Sequence, residues 1–177
     1  MVNKELKNAL IRKMKINIDT ITRASKELIG NIIRTPTIRS QHLSSEINGE
    51  VFLKLENLQY TSSFKVRGAY TSITRLKEDQ KKVGVSAMSA GNHAQAVAWW
   101  AKKERVNATI VMPEHAPLFK VMKTKSLGAD VILRGRTLNE SQTYVSELVN
   151  DKKLTLIHPY DDYNVVTGQG TLGLEFM

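Results

Sequence analysis

The 177-residue chain is 41% hydrophobic and 24% charged, a composition that supports a packed core and excludes a disordered chain. It has no cysteine, which excludes disulfides, thiolate metal sites and a catalytic thiol. The formal charge of +9 invites a nucleic-acid partner, but the cations are scattered and the densest group is only Arg12, Lys13 and Lys15, so a basic solvated surface is expected instead.

No apolar run reaches the roughly 18–20 residues needed to span a bilayer. The basic N-terminus, "MVNKELKNALIRKMKI", lacks the apolar core of a signal peptide, so no membrane partner and a cytoplasmic location are expected. Residues 3–29 read as helix, in two pieces, with Asp19 as a cap and Gly30 just past the end. Pro36 enforces an extended stretch. Residues 38–47 read as a short helix ended at Asn48-Gly49. A regular alternation follows. Strands are expected at 51–56, 83–88, 108–113, 130–133 and 154–158, and helices at 66–78, 92–104, 117–127 and 138–150. That rhythm predicts βαβ units and an α/β fold with a mostly parallel sheet. The last stretch, "NVVTGQGTLGLEFM", reads as a helix in progress, which suggests a fold cut short.

Two stretches sit where an open α/β sheet gathers ligands, beyond the carboxyl ends of strands. "SAGNHAQA", Ser89 to Ala96, leads from a strand into a helix. Small residues admit a ligand to the backbone, and the helix N-terminus offers unpaired N–H groups to a carboxylate or phosphate. A tight turn capped by Asn92 would read the same way. "YTSSFKVRGA" places Lys65 at another helix entry, beside Phe64. The helix dipole and burial would both lower the pKa of its ammonium, and a neutral amine is the form that attacks an aldehyde. A single lysine beside a Ser/Thr-rich loop is ordinarily just solvated.

Taken together, "LKLENLQYTSSFKVRGA" and "SAGNHAQAVA" resemble the lysine and asparagine motifs of fold-type II pyridoxal-phosphate enzymes, the tryptophan synthase β-like fold. Within that group the chain is most similar to threonine dehydratases, with serine racemases and serine dehydratases as relatives. "RTPTIRS", "VMPEHAP", "GADVIL" and "HPYDDYNVVTGQGTLGLE" extend the resemblance from about Ile18 onward. It implies pyridoxal 5′-phosphate as cofactor, carried by Lys65 through a Schiff base. Lys65 would then shuttle the Cα proton. Asn92 would hydrogen-bond the ring oxygen and Phe64 would lie beside the ring. Ser89, Gly91, Asn92 and His93 would surround the substrate carboxylate. The implied reaction is β-elimination and deamination of L-threonine or L-serine, giving 2-oxobutanoate or pyruvate and ammonia.

Ala90 stands where racemases carry a serine acid, which favours elimination. Ala96 replaces a glycine usual in the family, and Trp99 and Trp100 are bulkier than its pattern; both departures suggest altered helix packing. The family is roughly twice this length and carries a glycine-rich phosphate loop that this chain lacks. The resemblance therefore implies a complete small domain, residues 56–154, and a truncated large domain, residues 1–55 and 155–177, with uncovered apolar faces. A homo-oligomer, or completion by another polypeptide, is expected. The alternative is an inactive pseudoenzyme or assembly subunit. "GQGTLG" spells G-x-G-x-x-G but stands too far from a strand for a dinucleotide fingerprint. His42, His115 and His158 lack metal-site spacing, so no metal is expected, and Asp161 and Asp162 read as capping residues.

Overall fold

The computed structural model describes residues 16–176, and the expected helix before residue 16 lies outside that range. Helix α1 spans Ile18–Leu28. Its cap is Asn17, not Asp19. Thr20 N–H donates to Asn17 Oδ1 at 3.0 Å, and the Asn17 N–H donates to Thr20 Oγ1 at 3.1 Å. Asn17 wins because a hydroxyl stands three residues on to return the bond. Asp19 falls in the first turn, where its charge complements the helix dipole. Gly30 follows the helix with φ +78°.

Residues 38–47 divide in two. Thr37–Arg39 forms strand β1 and Gln41–Glu46 forms helix α2, capped by Ser40. The expected strand 51–56 is shorter, Phe52–Lys54 (β2). It pairs antiparallel with β1, Ile38 opposite Leu53, and takes no part in the parallel sheet. The helix expected at 66–78 ends earlier, as α3 (Lys65–Thr74), and a further helix that was not expected follows, α4 (Glu78–Val83), which takes the first residue of the strand expected at 83–88. The break falls at Lys77, whose N–H donates to Gln80 Oε1 at 2.9 Å and opens the second helix.

The alternation then runs as expected: β3 (Val85–Met88), α5 (Asn92–Lys103), β4 (Ala108–Met112), α6 (Leu118–Ser126), β5 (Asp130–Leu133), α7 (Leu138–Lys152), β6 (Thr155–Leu156) and α8 (Tyr163–Phe176). The four strands lie parallel in the order β5-β4-β3-β6. The chain builds outward from β3 to β5, then returns to place β6 on the other side of β3. The order therefore reverses between β3 and β6, and the place beyond their carboxyl ends is where open α/β sheets gather ligands.

The main core lies on one face of the sheet, where Val85, Ala87, Ile110 and Met112 meet Val66, Ile73, Ala94, Val97 and Trp100. Val145 and Leu148 of α7 join Val111 in a smaller cluster. Helix α5 is fastened to α3 by Trp100, whose Nε1–H donates to Val66 O at 2.9 Å. Tyr70 packs edge-on against Trp100, and Tyr60 stacks on Trp99 at 4.7 Å. The two tryptophans thus serve helix packing, and Ala96 is fully buried beside them.

The G-x-G-x-x-G stretch lies inside α8. A Cβ on Gly168 would stand 2.5 Å from Arg67 O, and one on Gly68 would stand 2.7 Å from Val165 O. Gly168 and Gly68 let α3 and α8 meet backbone to backbone, whereas Gly170 faces Ile21 of α1 and Gly173 has open space beside it. Asp162 Oδ1 caps this helix, accepting from the Val165 N–H at 2.8 Å. Apolar side chains stand exposed on α1 and the β1–β2 ribbon, namely Ile18, Ile29, Ile38 and Phe52. Leu118, Phe119 and Met122 of α6 are exposed as well.

Candidate active site

The loop after β3 is shaped by its own small residues. The Ser89 N–H donates to Val111 O at 3.1 Å, and Ser89 Oγ accepts from the Gly91 N–H at 3.2 Å. Gly91, not Asn92, is the N-cap of α5, and Asn92 is the first helical residue and is exposed. The N–H groups of Asn92, His93 and Ala94 belong to the first turn, which has no intrahelical carbonyls to offer them. With the helix dipole behind them they form a seat for an anion. A Cβ added at Gly91 would meet nothing within 4 Å, so open space lies beside this turn.

Lys65 enters from the other side as the first residue of α3. Its backbone N–H donates to Ser63 Oγ at 3.2 Å, and its Nζ donates to Pro159 O at 2.9 Å. The Phe64 ring lies alongside, its centroid 5.2 Å from Nζ. Partial burial holds the Lys65 pKa below the ordinary lysine value.

His93 is 3% exposed and turns its ring inward. Nε2 lies 2.9 Å from Ile157 O, and a carbonyl partner requires that this nitrogen carry the hydrogen. Nδ1 is buried without a partner. Burial drives the pKa down to about 4; the bond to Ile157 opposes the shift, and Lys65 and His158 add to it. The ring is therefore neutral and committed to a carbonyl, so what His93 presents to an anion is its backbone N–H.

Ile157 and Pro159 are alternate residues on the segment leaving β6. Lys65 from α3, the 89–93 loop from β3 and the exit of β6 thus meet at the point where the strand order reverses. The two carbonyls carry no signal of residue type and are invisible in the sequence; only the motif "HPYDD" marks the place. Behind Lys65, Arg67 is buried between Glu56 and Glu175, with Nη2–Glu56 Oε1 at 2.8 Å and Nη1–Glu175 Oε1 at 2.6 Å. Among the described residues, no group of three or more His, Asp and Glu could hold a metal ion, and no helix is long and apolar enough to cross a membrane.

Residues 28–177 match the family model described as pyridoxal-phosphate dependent enzyme. Over 163 residues the chain is 50% identical to the catabolic L-threonine dehydratase TdcB of Staphylococcus aureus (strain USA300), covering 92% of this chain and 47% of that protein. The chain thus spans about half the length of the curated relatives it matches. Processed threonine deaminase isoform 2 of Solanum lycopersicum superposes with a TM-score of 0.81 at 35% identity, over 90% of this chain and 46% of that one. Maize serine racemase gives 0.86 at 34% identity, over 90% and 49%. The T.th. threonine deaminase gives 0.82 at 38% identity, over 90% and 50%. These neighbours share the fold-type II architecture, and with the parallel sheet and the family match they establish that the chain belongs to the pyridoxal-phosphate-dependent enzyme family.

Proposed function

We propose that Lys65 carries pyridoxal 5′-phosphate at this site, and that the chain forms part of a lyase that deaminates L-threonine and L-serine. The convergence of the Lys65 amine and the α5 N-terminus on the β3/β6 switch point carries this reading. Relatives named as threonine dehydratase and threonine deaminase support it. The residues present fit the group. An amine of lowered pKa, an aromatic ring and a first helical turn with open space beside it stand at the same switch point. Asn92 would bind the ring oxygen, and Phe64 would flank the ring. Ser89 and the N–H groups of Gly91, Asn92 and His93 would receive the substrate carboxylate. When bound, the cofactor supplies an electron sink that makes the Cα–H bond acidic. Once displaced by the substrate amine, Lys65 Nζ would be free to take the Cα proton and to return it to the leaving β-hydroxyl. Ala90 has no acid to offer the opposite face, so elimination is favoured over racemisation.

In this reading residues 56–154 form the small domain, and residues 1–55 with 155–177 belong to a large one. The whole assembly is a homo-oligomer or is completed by a second polypeptide. The exposed Ile18, Ile29 and Phe52 favour a second reading, an inactive assembly subunit that keeps the small-domain fold. Formation of 2-oxobutanoate and ammonia from L-threonine, with pyridoxal phosphate added, separates them. The lyase reading expects product from the wild-type chain and none from Lys65→Ala. Product from both would remove Lys65 from the chemistry, and product from neither would favour the subunit.

A further inference from the structure

We propose that His93 is a positioning residue for Lys65, acting through the two carbonyls of the segment that leaves β6. This rests on the reading of Lys65 as the reactive amine. The β6 ladder is short, its last register pair being Ser86 opposite Leu156. Beyond it, Ile157 N–H still reaches Ser86 O at 2.8 Å, but Pro159 has no N–H with which to be held. His93 Nε2–H grips Ile157 O from the start of α5. Pro159 O, two residues on, is then presented to Lys65 Nζ. Lys65 and His93 never touch each other in this scheme; each bonds one end of the same short segment. His158, which lies between the two carbonyls, turns its ring away and accepts on Nδ1 from the Asp161 N–H at 2.8 Å.

The arrangement needs a ring with one proton, on Nε2. A second proton on Nδ1 would find no acceptor, being buried without a partner, and would face the Lys65 ammonium. The imidazole is thus fixed in one tautomer, and the dock it builds does not change through neutral pH. What it holds is the resting place of the Lys65 ammonium, a half-buried carbonyl rather than solvent.

The test compares His93→Gln, which can keep a donor on Ile157 O, with His93→Leu, which fills the space without one. The readout is the pH dependence of Lys65 acylation, resolved by peptide mass mapping, with melting temperatures recorded alongside. The wild type and His93→Gln should share one Lys65 profile. In His93→Leu the dock drifts, Lys65 moves to solvent and its midpoint rises toward that of exposed lysines. Its reactivity at pH 7 then falls several-fold, because less of the amine is neutral as the midpoint rises. A Leu variant with the wild-type or a lower midpoint overturns the proposal, as does a Gln variant that shifts as far as Leu. Nitrogen NMR of the wild-type ring gives a check without any variant. A neutral Nε2–H imidazole from pH 5 to 8 supports the proposal, whereas an Nδ1–H tautomer or an imidazolium at pH 7 overturns it. Neither measurement uses pyridoxal phosphate, so failure of the cofactor reading would show separately, as a normal Lys65 profile without cofactor attachment.

Discussion

Arg67→Met should lower the unfolding free energy by about 3–5 kcal/mol, the cost of breaking a buried ion pair by removing one partner. The Arg67 side chain is fully buried and spends its fork on two carboxylates. Nε and Nη2 donate to Glu56 at 3.0 and 2.8 Å, and Nη1 and Nη2 donate to Glu175 at 2.6 and 3.1 Å. Lys54, itself nearly buried, binds Glu175 at 2.6 Å, and the Thr35 hydroxyl donates to Glu56 at 2.6 Å. Two cations balance two anions, and the network ties β2, α3 and α8 to the turn at Glu56. Burial alone would raise the Glu175 pKa, but Arg67 and Lys54 bring it below the ordinary carboxylate value. Methionine matches much of the arginine stem but supplies no charge, leaving two carboxylates to one lysine. Urea unfolding at pH 7 measures the loss. Adding Glu56→Gln to Arg67→Met should recover part of it, because the orphaned anion is then removed.

The second large effect is on acid stability. Between pH 7 and pH 4.5 the wild-type unfolding free energy should fall by about 2 kcal/mol more than that of His93→Leu, from the proton linkage of one ring. His93 has a folded pKa of about 4 against an ordinary value of 6.5. Below the ordinary value the unfolded chain binds a proton that the folded chain refuses. Stability is therefore complete at neutral pH, drains away as pH falls through the ordinary value, and levels only when the folded ring itself protonates. Urea titrations of both proteins at several pH values give the two slopes, and the difference between them isolates His93 from the carboxylates that also titrate in acid. Parallel slopes would show that the ring protonates freely in the fold.

Local patterns carried most of the fold, and they failed where the partner of an element mattered. The βαβ rhythm placed β5 at residues 130–133 to the residue and set α5 at Asn92, because strand-rich runs and small-residue turns are local signals. "VFLKLE" carried the same local signal, but nothing in it says that its partner is Thr37–Arg39 rather than the parallel sheet. Asp19 and Asn17 are both good caps, and the choice turned on Thr20, which can complete the box with only one of them. In "GQGTLG" it is Gly168 that lets α8 approach α3, a need that the G-x-G-x-x-G spacing does not announce. In the candidate site, Lys65 and the 89–93 loop could be named because together they resemble the paired motifs of a known family; the chemistry of each alone left a solvated lysine and a capped turn open. Ile157 and Pro159 could not, since a main-chain carbonyl has no sequence. The burial of Arg67 was equally hidden, for a lone arginine in a helix gives no hint that two carboxylates from distant segments will enclose it.

The convergence of Lys65 and the 89–93 loop on one switch point is tested most directly by trapping. The chain is incubated with pyridoxal 5′-phosphate at neutral pH, reduced with borohydride and mapped by peptide mass spectrometry. The lowered pKa of Lys65 predicts that the pyridoxyl group concentrates on Lys65. Label spread over the exposed lysines, Lys102, Lys103, Lys123 and Lys125, with Lys65 no more modified than they are, would contradict the site.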